Sequence, residues 1–308
     1  MQYPTAPSPH AKADITTQTI MLRVCIALLP AALAGCLTFG YKAALVLLTA
    51  TVSAMIFEAL CCIVMKRTQT VTDGSAAVTG LLLGMTVPAD MPLWQICVGS
   101  FFAIVIAKQL FGGLGKNLAN PAVVARIVLL ILFQQGMTTF PAPERNAIVS
   151  AAPPVSGNVT YWDLFLNNTT GCIGEACVAA LLLGGIFLCV LRNITPVTTL
   201  AYLGSFTICV FCSGGDSLYQ LLSGGWMLVA IFMANDYVTT PITPLGKVLF
   251  GIGCGVLTFL IRCLGGYPEG VFIAILLMNL LTPCIDRLTP TKPFGAATPM
   301  RKKTAAHS

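Results

Sequence analysis

Ten long apolar segments constrain the fold of this chain more than any other feature of its sequence. Charged residues, prolines and glycines delimit them, and most approach the roughly 20 residues that a helix needs to cross a bilayer. Because no water bonds to exposed backbone groups inside a bilayer, each segment is predicted to be helical. The sequence therefore predicts an all-α polytopic membrane protein with about ten transmembrane helices. The segments cover residues 22–40, 43–65, 75–87, 93–111, 120–136, 173–191, 197–213, 218–235, 246–264 and 269–285.

The composition leads to the same conclusion. Of the 308 residues, 56% are hydrophobic and 9% are charged, whereas a soluble domain carries about 25% charged residues. The mean hydropathy is +0.85, and so few charges do not cover a surface that faces water. The bilayer is therefore expected to be the solvent for most of the chain.

The distribution of Lys and Arg predicts the orientation of the chain in the membrane. With the N-terminus in the cytoplasm, thirteen of the seventeen basic residues, Lys108 among them, fall on the cytoplasmic side. Three fall outside, and Arg126 lies within a span. Cytoplasmic loops carry the excess of Lys and Arg in membrane proteins. Both termini are therefore predicted to be cytoplasmic.

The chain also repeats itself with an offset of 153 residues. Thr86-Val87-Pro88 corresponds to Thr239-Thr240-Pro241, and Gly112-Gly113 corresponds to Gly265-Gly266. Five helices per half is an odd number, so the two halves are predicted to be inverted relative to one another. In such repeats, interrupted helices at matching positions mark the central site.

These features divide the chain into five predicted parts. A cytoplasmic N-terminal tail covers residues 1–21, and the first five-helix repeat covers residues 22–136. A polar extracytoplasmic loop follows at residues 137–172, and the second five-helix repeat covers residues 173–285. Residues 286–308 form a basic cytoplasmic tail.

Ionisable residues at membrane depth indicate an ion path, because burying them against lipid is unfavourable. The candidates are Glu58 in the second segment and Asp236 at the end of the interrupted eighth segment, beside Asn235 and near Thr239. Carboxylate, amide and hydroxyl oxygens suit a hard cation such as Na⁺, and helix ends supply free carbonyls. Two structural interpretations stay open: Glu58 pairs with a neighbouring subunit, and Asp236 caps a helix.

Other kinds of site are not expected. The cysteines lie mostly in apolar segments and are interpreted as small buried hydrophobes rather than as metal ligands. His10 and His307 lie in the polar tails, which excludes haem ligation by histidine within the membrane. The glycine run at residues 112–117 lacks the spacing of a phosphate-binding loop. No metal centre and no nucleic-acid partner are predicted.

Several stretches resemble one family, which includes the D subunits of Rnf ferredoxin–NAD⁺ oxidoreductases and the B subunits of Na⁺-translocating NADH–quinone oxidoreductases. The resemblance extends over nearly the whole chain and favours the Rnf D subunits. It is carried by Ser8-Pro9-His10, Asp73-Gly74-Ser75-Ala76, Lys108 to Gly115, Asn120-Pro121-Ala122, Phe232-Met233-Ala234, Thr240-Pro241, Gly265 to Gly270 and Asn279 to Asp286.

The resemblance implies a fold, a function and partners. The fold has two inverted five-helix repeats and is similar to that of urea transporters. The function is that of a membrane subunit in a complex that moves electrons from reduced ferredoxin to NAD⁺ while Na⁺ or H⁺ crosses the prokaryotic cell (inner) membrane. The partners are the A-, B-, C-, E- and G-type subunits of that complex.

The resemblance also implies FMN, which that family links through its phosphate to a Thr in a motif like D-x-x-[S/T]-G-A-T. The corresponding loop stretch, from Asn146 to Pro153, is degenerate. Ser150 stands at the Gly position, Ala151 follows, and Ala152 replaces the acceptor Thr. A methyl group has no oxygen for a phosphoester, so FMN is predicted to be non-covalent or lost. Riboflavin near the cytoplasmic side is a second expected flavin.

Two alternative functions remain. The inverted repeat also suits a solute channel or transporter of urea-transporter-like architecture. A scaffold subunit that carries no electrons is the other alternative, since the chain has no nicotinamide fingerprint and no cluster ligands.

Overall fold

The structure, a computed structural model, describes residues 15–140, 165, 171–222, 225–265 and 270–290. Every regular element within these ranges is a helix, and none is a strand. The prediction of an all-helical chain is therefore confirmed for the described residues.

The described part of the first half contains six α-helices and one 3₁₀ turn, Val71–Asp73, which precedes α3. The helix α4 continues into a π-helical segment, Phe102–Gln109, that completes the fourth apolar segment. The α-helices are α1 (Thr17–Phe39), α2 (Tyr41–Val64), α3 (Ser75–Met85), α4 (Leu93–Phe101), α5 (Pro121–Leu132) and α6 (Gln134–Thr138).

The described part of the second half also contains six α-helices, preceded by a 3₁₀ turn, Ile173–Glu175. The short helix α10 continues into a second π-helical segment, Val229–Met233. The α-helices are α7 (Val178–Val190), α8 (Pro196–Cys212), α9 (Ser217–Leu222), α10 (Trp226–Leu228), α11 (Pro244–Gly265) and α12 (Gly270–Leu288).

Four of these helices, α1, α2, α11 and α12, are long and apolar enough to cross a membrane. Five shorter apolar helices of 10–17 residues accompany them, including α3 and α5. Large apolar side chains such as Leu33 and Leu37 on α1 are more than 60% exposed, as expected where lipid replaces water. The chain is a multi-pass membrane protein.

Glycine allows the helices to pack closely at two places. A Cβ at Gly80 of α3 would lie 2.5 Å from the carbonyl oxygen of Ala50 on α2. A Cβ at Gly255 of α11 would lie 2.7 Å from the carbonyl oxygen of Tyr202 on α8. Small residues at such contacts let backbones approach where lipid provides no hydrophobic drive for association.

The helix ends agree with the predicted interruptions, but two predicted segments are divided. The fifth, predicted over 120–136, is divided at Phe133 into α5 and α6. The helix α3 ends at Met85 and the second π segment ends at Met233, each ahead of the proline that interrupts its half. The eighth apolar segment, predicted as one helix over 218–235, forms two described pieces, α9 and α10 with its π segment. Gly225 precedes α10, and a Cβ there would lie 2.1 Å from Oε1 of Glu175, so a continuous run of larger residues does not fit.

Candidate functional site

Glu58 forms a buried ion pair within the chain. Nζ of Lys108 lies 2.8 Å from Oε1 of Glu58, and the two side chains are 2% and 0% exposed. Thr70 and Gln109 donate to the same oxygen at 2.8 and 3.1 Å, and Lys108 also donates to Ser75 at 2.7 Å. A buried charge is tolerated only with a partner and further hydrogen bonds, and this arrangement provides both.

The local backbone brings two adjacent side chains to one carboxylate. Lys108 and Gln109 end the π segment, in which hydrogen bonds run from residue i to i+5 and successive side chains lie closer around the axis. Both side chains therefore reach Oε1 of Glu58. The second carboxylate oxygen, Oε2, is buried and accepts no hydrogen bond from the part of the chain that the structure describes. It is available to a proton, a cation or water.

Asp236 lies just beyond the second π segment and is held by its own turn. Thr239 donates to Oδ2 of Asp236 at 3.1 Å, and the carbonyl group of Asp236 accepts from Thr240. The amide of Asn235 donates to Thr199 at 2.7 Å and to the carbonyl oxygen of Ile231 at 2.8 Å. Asn235, Asp236 and Thr239, which the sequence analysis grouped as candidates, therefore all take part in the hydrogen bonds of this turn.

Asp236 borders a cavity that the Glu58–Lys108 pair reaches through its lysine. The cavity offers about 70 Å³ of space for water and is lined by Lys108, by Ser75, to which Lys108 donates, and by Asn235 and Asp236. Tyr237 also lines the cavity, and burial raises the pKa of that phenol. The structure therefore brings residues of both halves of the chain to a single polar cavity.

The remaining wall of the cavity mixes amides with apolar side chains. Asn117 is 8% exposed, and its Oδ1 finds no hydrogen-bond partner among the described residues. Asn120 caps α5 by accepting from the amide of Ala122 at 3.0 Å. Apolar contacts come from Leu82, Phe232 and other side chains. Such a mixture of apolar walls and a few polar groups is typical of a small-molecule site.

The cysteines and the flavin motif were the other features considered in the sequence. No group of three His, Cys, Asp or Glu residues in the described ranges is arranged to hold a metal ion. Cys209 and Cys212 are separated by two residues, but they lie on α8, and Cys212 is exposed. The flavin-motif positions Ser150, Ala151 and Ala152 lie outside the described residues.

Three buried polar residues were not among the predicted site residues. Lys108 was counted as a cytoplasmic charge at the end of the fourth apolar segment, yet it lies in the π segment and is 1% exposed. Arg126 on α5 is 1% exposed and lies over the ring of Phe272 at 5.3 Å. Asn279 on α12 is 2% exposed. The apolar sequence around each residue is the signal that could have found them.

The apolar helices and the cavity at the ends of interrupted helices define a class, the multi-pass helical membrane proteins with a polar site between their helices. Within that class the chain matches the NQR2, RnfD, RnfE family over residues 4–295. It belongs to that family.

Individual relatives match along nearly their whole length. The chain is 41% identical over 309 residues to the D subunit of the Na⁺-translocating ferredoxin:NAD⁺ oxidoreductase complex of Acetobacterium woodii, covering 97% of each chain. It is 38% identical over 313 residues to the D subunit of the proton-translocating ferredoxin:NAD⁺ oxidoreductase complex of Clostridium ljungdahlii, covering 94% of this chain and 95% of that protein. It is 36% identical over 323 residues to the D subunit of the ion-translocating oxidoreductase complex of Stutzerimonas stutzeri, covering 90% and 91%.

Proposed function

We propose that this chain is the D-type membrane subunit of an Rnf-type complex that couples electron transfer between ferredoxin and NAD⁺ to translocation of Na⁺ or H⁺ across the prokaryotic inner membrane. The names of its relatives support the redox couple and the two candidate ions. The observation that carries the proposal is the buried Glu58–Lys108 pair, whose lysine borders the same cavity as Asp236. Ionisable groups placed this way at membrane depth are typical of ion pathways.

The arrangement proposed for the helices follows the sequence repeat. About ten spans form two inverted five-helix repeats, both termini are cytoplasmic, and the cavity opens toward the cytoplasm. The ends of α3 and of the second π segment, which precede Pro88 and Pro241, support this arrangement. A-, B-, C-, E- and G-type subunits complete the complex and supply the nicotinamide site and the clusters, for which this sequence carries no fingerprint or ligand motif.

We assign the expected riboflavin to the cavity beside Asp236, whose lining offers both polar and apolar contacts. The unpaired Oδ1 of Asn117 is an acceptor for a ring N–H, and Asn120 and Asn235 add amide groups. Phe232 and Leu82 supply apolar walls. A flavin bound there would accept and pass on electrons, while the chain's own residues orient it and exclude water.

Flavin release tests this assignment. The non-covalent flavin freed by denaturing the purified complex is measured by chromatography for wild type and for Asn117→Leu. We expect the variant to lose most of the flavin, because Leu cannot bond a polar ring edge. The control is Asn193→Leu, which removes another buried amide, one that accepts from Arg23 at 3.0 Å and does not line the cavity. Equal flavin content in both variants would contradict the assignment.

Ion-coupled turnover tests the function. The complex is reconstituted into vesicles, supplied with reduced ferredoxin and NAD⁺, and assayed for NADH and for internal Na⁺ and H⁺. We expect Asp236→Asn to assemble normally and to lose ion transport per NADH formed. The control is Asp90→Asn, which alters an exposed pair with Lys42. If the wild-type complex does not reduce NAD⁺ with ferredoxin, the proposed function is contradicted and the solute-channel and scaffold alternatives are favoured.

A further inference from the structure

A row of polar side chains follows one face of α12, and we call it the polar seam. It consists of Asn279, Thr282 and Asp286 on α12 and of Thr289, the residue that follows the end of the helix. These residues are three or four positions apart and so lie on one side. The seam packs against residues 239–243, the irregular segment that follows the interrupted helix.

Three hydrogen bonds join the seam to that segment. Thr282 donates to the carbonyl oxygen of Thr239 at 2.8 Å, and Asp286 accepts from the backbone amide of Ile242 at 3.1 Å. The hydroxyl groups of Thr243 and Thr289 lie 2.8 Å apart. Since Thr239 also bonds Asp236, the seam is connected through one threonine to the acid at the edge of the cavity.

Asn279 is the first residue of the polar seam and, unlike the others, its side chain makes no hydrogen bond within the described ranges. It is 2% exposed, and neither its Oδ1 nor its Nδ2 has a hydrogen-bond partner in the described ranges. It is the middle residue of the nineteen-residue helix α12, about 14 Å from either end. An amide with both ends unpaired at this depth is unfavourable, and an apolar side chain of the same size would avoid the penalty.

We propose that Asn279 binds a monovalent cation, together with its remaining water, at the inner end of a path that starts at Asp236. Its carboxamide oxygen, the hydroxyl of Thr282 and nearby backbone carbonyls are oxygen ligands, which hard cations prefer. The two acids along the route, Asp236 and Asp286, favour a cation over an anion. The amide nitrogen of Asn279 donates to the water that the cation retains. This inference rests on the proposed function and extends it by naming where the ion resides.

Sodium-dependent stability tests the site directly. The assembled complex in detergent is heated in NaCl or in choline chloride of equal concentration, and the melting temperature of this chain is followed. A ligand that binds only the folded state raises that temperature. We expect the wild type to be stabilised by Na⁺ relative to choline, and Asn279→Leu to lose this response.

Two further variants separate binding from folding. Asn279→Leu in choline chloride is expected to be at least as stable as wild type, because it removes two unpaired polar atoms. Asn279→Asp keeps an oxygen and adds a charge, so it should lower the half-maximal Na⁺ concentration roughly tenfold. The matched control is Thr198→Val, which removes a different unpaired buried hydroxyl, on α8, and should keep the wild-type response.

Failure of the Asn279 site can be told apart from failure of the proposed function. The site is overturned if wild type shows no stabilisation specific to Na⁺, or if Asn279→Leu responds to Na⁺ as wild type does. Ferredoxin-dependent NAD⁺ reduction is measured on the same preparations. A complex that lacks this activity but shows a sodium response dependent on Asn279 contradicts the proposed function and supports the site.

Discussion

Removing the charge of Glu58 tests the contribution of its buried ion pair with Lys108. Glu58→Gln keeps an oxygen that accepts hydrogen bonds, but it leaves the ammonium of Lys108 buried without a counter-charge. Lys108 then has only neutral partners, the hydroxyl group of Ser75 among them. The substitution therefore isolates the ionic part of the interaction.

The magnitude follows from the burial of the pair. Breaking a buried ion pair by removing one partner costs about 3–5 kcal/mol. In a protein of this size, 1 kcal/mol lowers the melting temperature by about 2 °C or somewhat more. We expect Glu58→Gln to lower the melting temperature of the chain in the solubilised complex by about 6–10 °C.

The chain provides its own control for this measurement. Lys42 and Asp90 form an ion pair of similar length, 2.7 Å, but their side chains are 50% and 45% exposed. Exposed pairs contribute about 0–1 kcal/mol. Asp90→Asn should therefore change the melting temperature by no more than about 2 °C.

A double substitution distinguishes stability from function. Glu58→Gln with Lys108→Met removes both charges, and we expect it to recover most of the lost stability. If Glu58 lies on the ion path, this stable variant still fails to couple ion transport to NADH formation. Equal costs for Glu58→Gln and Asp90→Asn would refute the argument from burial, and normal pumping by the double variant would make the pair purely structural.

Three further predictions concern topology, packing and flavin. A reporter fused at Asn158 should report the extracytoplasmic side and one at Ser308 the cytoplasm; both reporters on one side would exclude the ten-helix arrangement. Gly80→Val should cost about 1–3 kcal/mol or more by overpacking, whereas Gly204→Ala should be neutral in a melting assay because nothing lies within 4 Å of a Cβ there. The denatured chain should show no in-gel flavin fluorescence, because Ala152 offers no acceptor oxygen; a fluorescent band would show that another residue carries the flavin.

The sequence predicted the helices well because every span needs a long apolar stretch to cross the bilayer. Apolar length alone located α1, α2, α11 and α12 to within a few residues. The prolines at 88 and 241 likewise marked where helices end. The break between α9 and α10 was not predicted, because it depends on the carboxylate of Glu175 approaching Gly225, and that contact is distant in sequence.

The site was predicted only in part. Glu58 and Asp236 stood out as acids in apolar surroundings, but the charge rule counted Lys108 only as a cytoplasmic charge because it treats every Lys as a topological signal. A lysine 50 residues from its partner cannot be paired from sequence spacing. The repeat offset of 153 contained an unused signal, since it aligns Arg126 with Asn279, two polar residues at equivalent positions of apolar helices.

The π segment Phe102–Gln109 makes the site sensitive to changes in chain length. A π turn accommodates the equivalent of one inserted residue within an α-helix. Deleting a single apolar residue there, for example Val105, would restore regular helix, in which successive side chains are about 100° apart. Lys108 and Gln109 would then no longer both reach Oε1 of Glu58, although every residue that contacts the pair is unchanged. A deletion of one apolar residue is thus expected to disturb the site without replacing any residue of it.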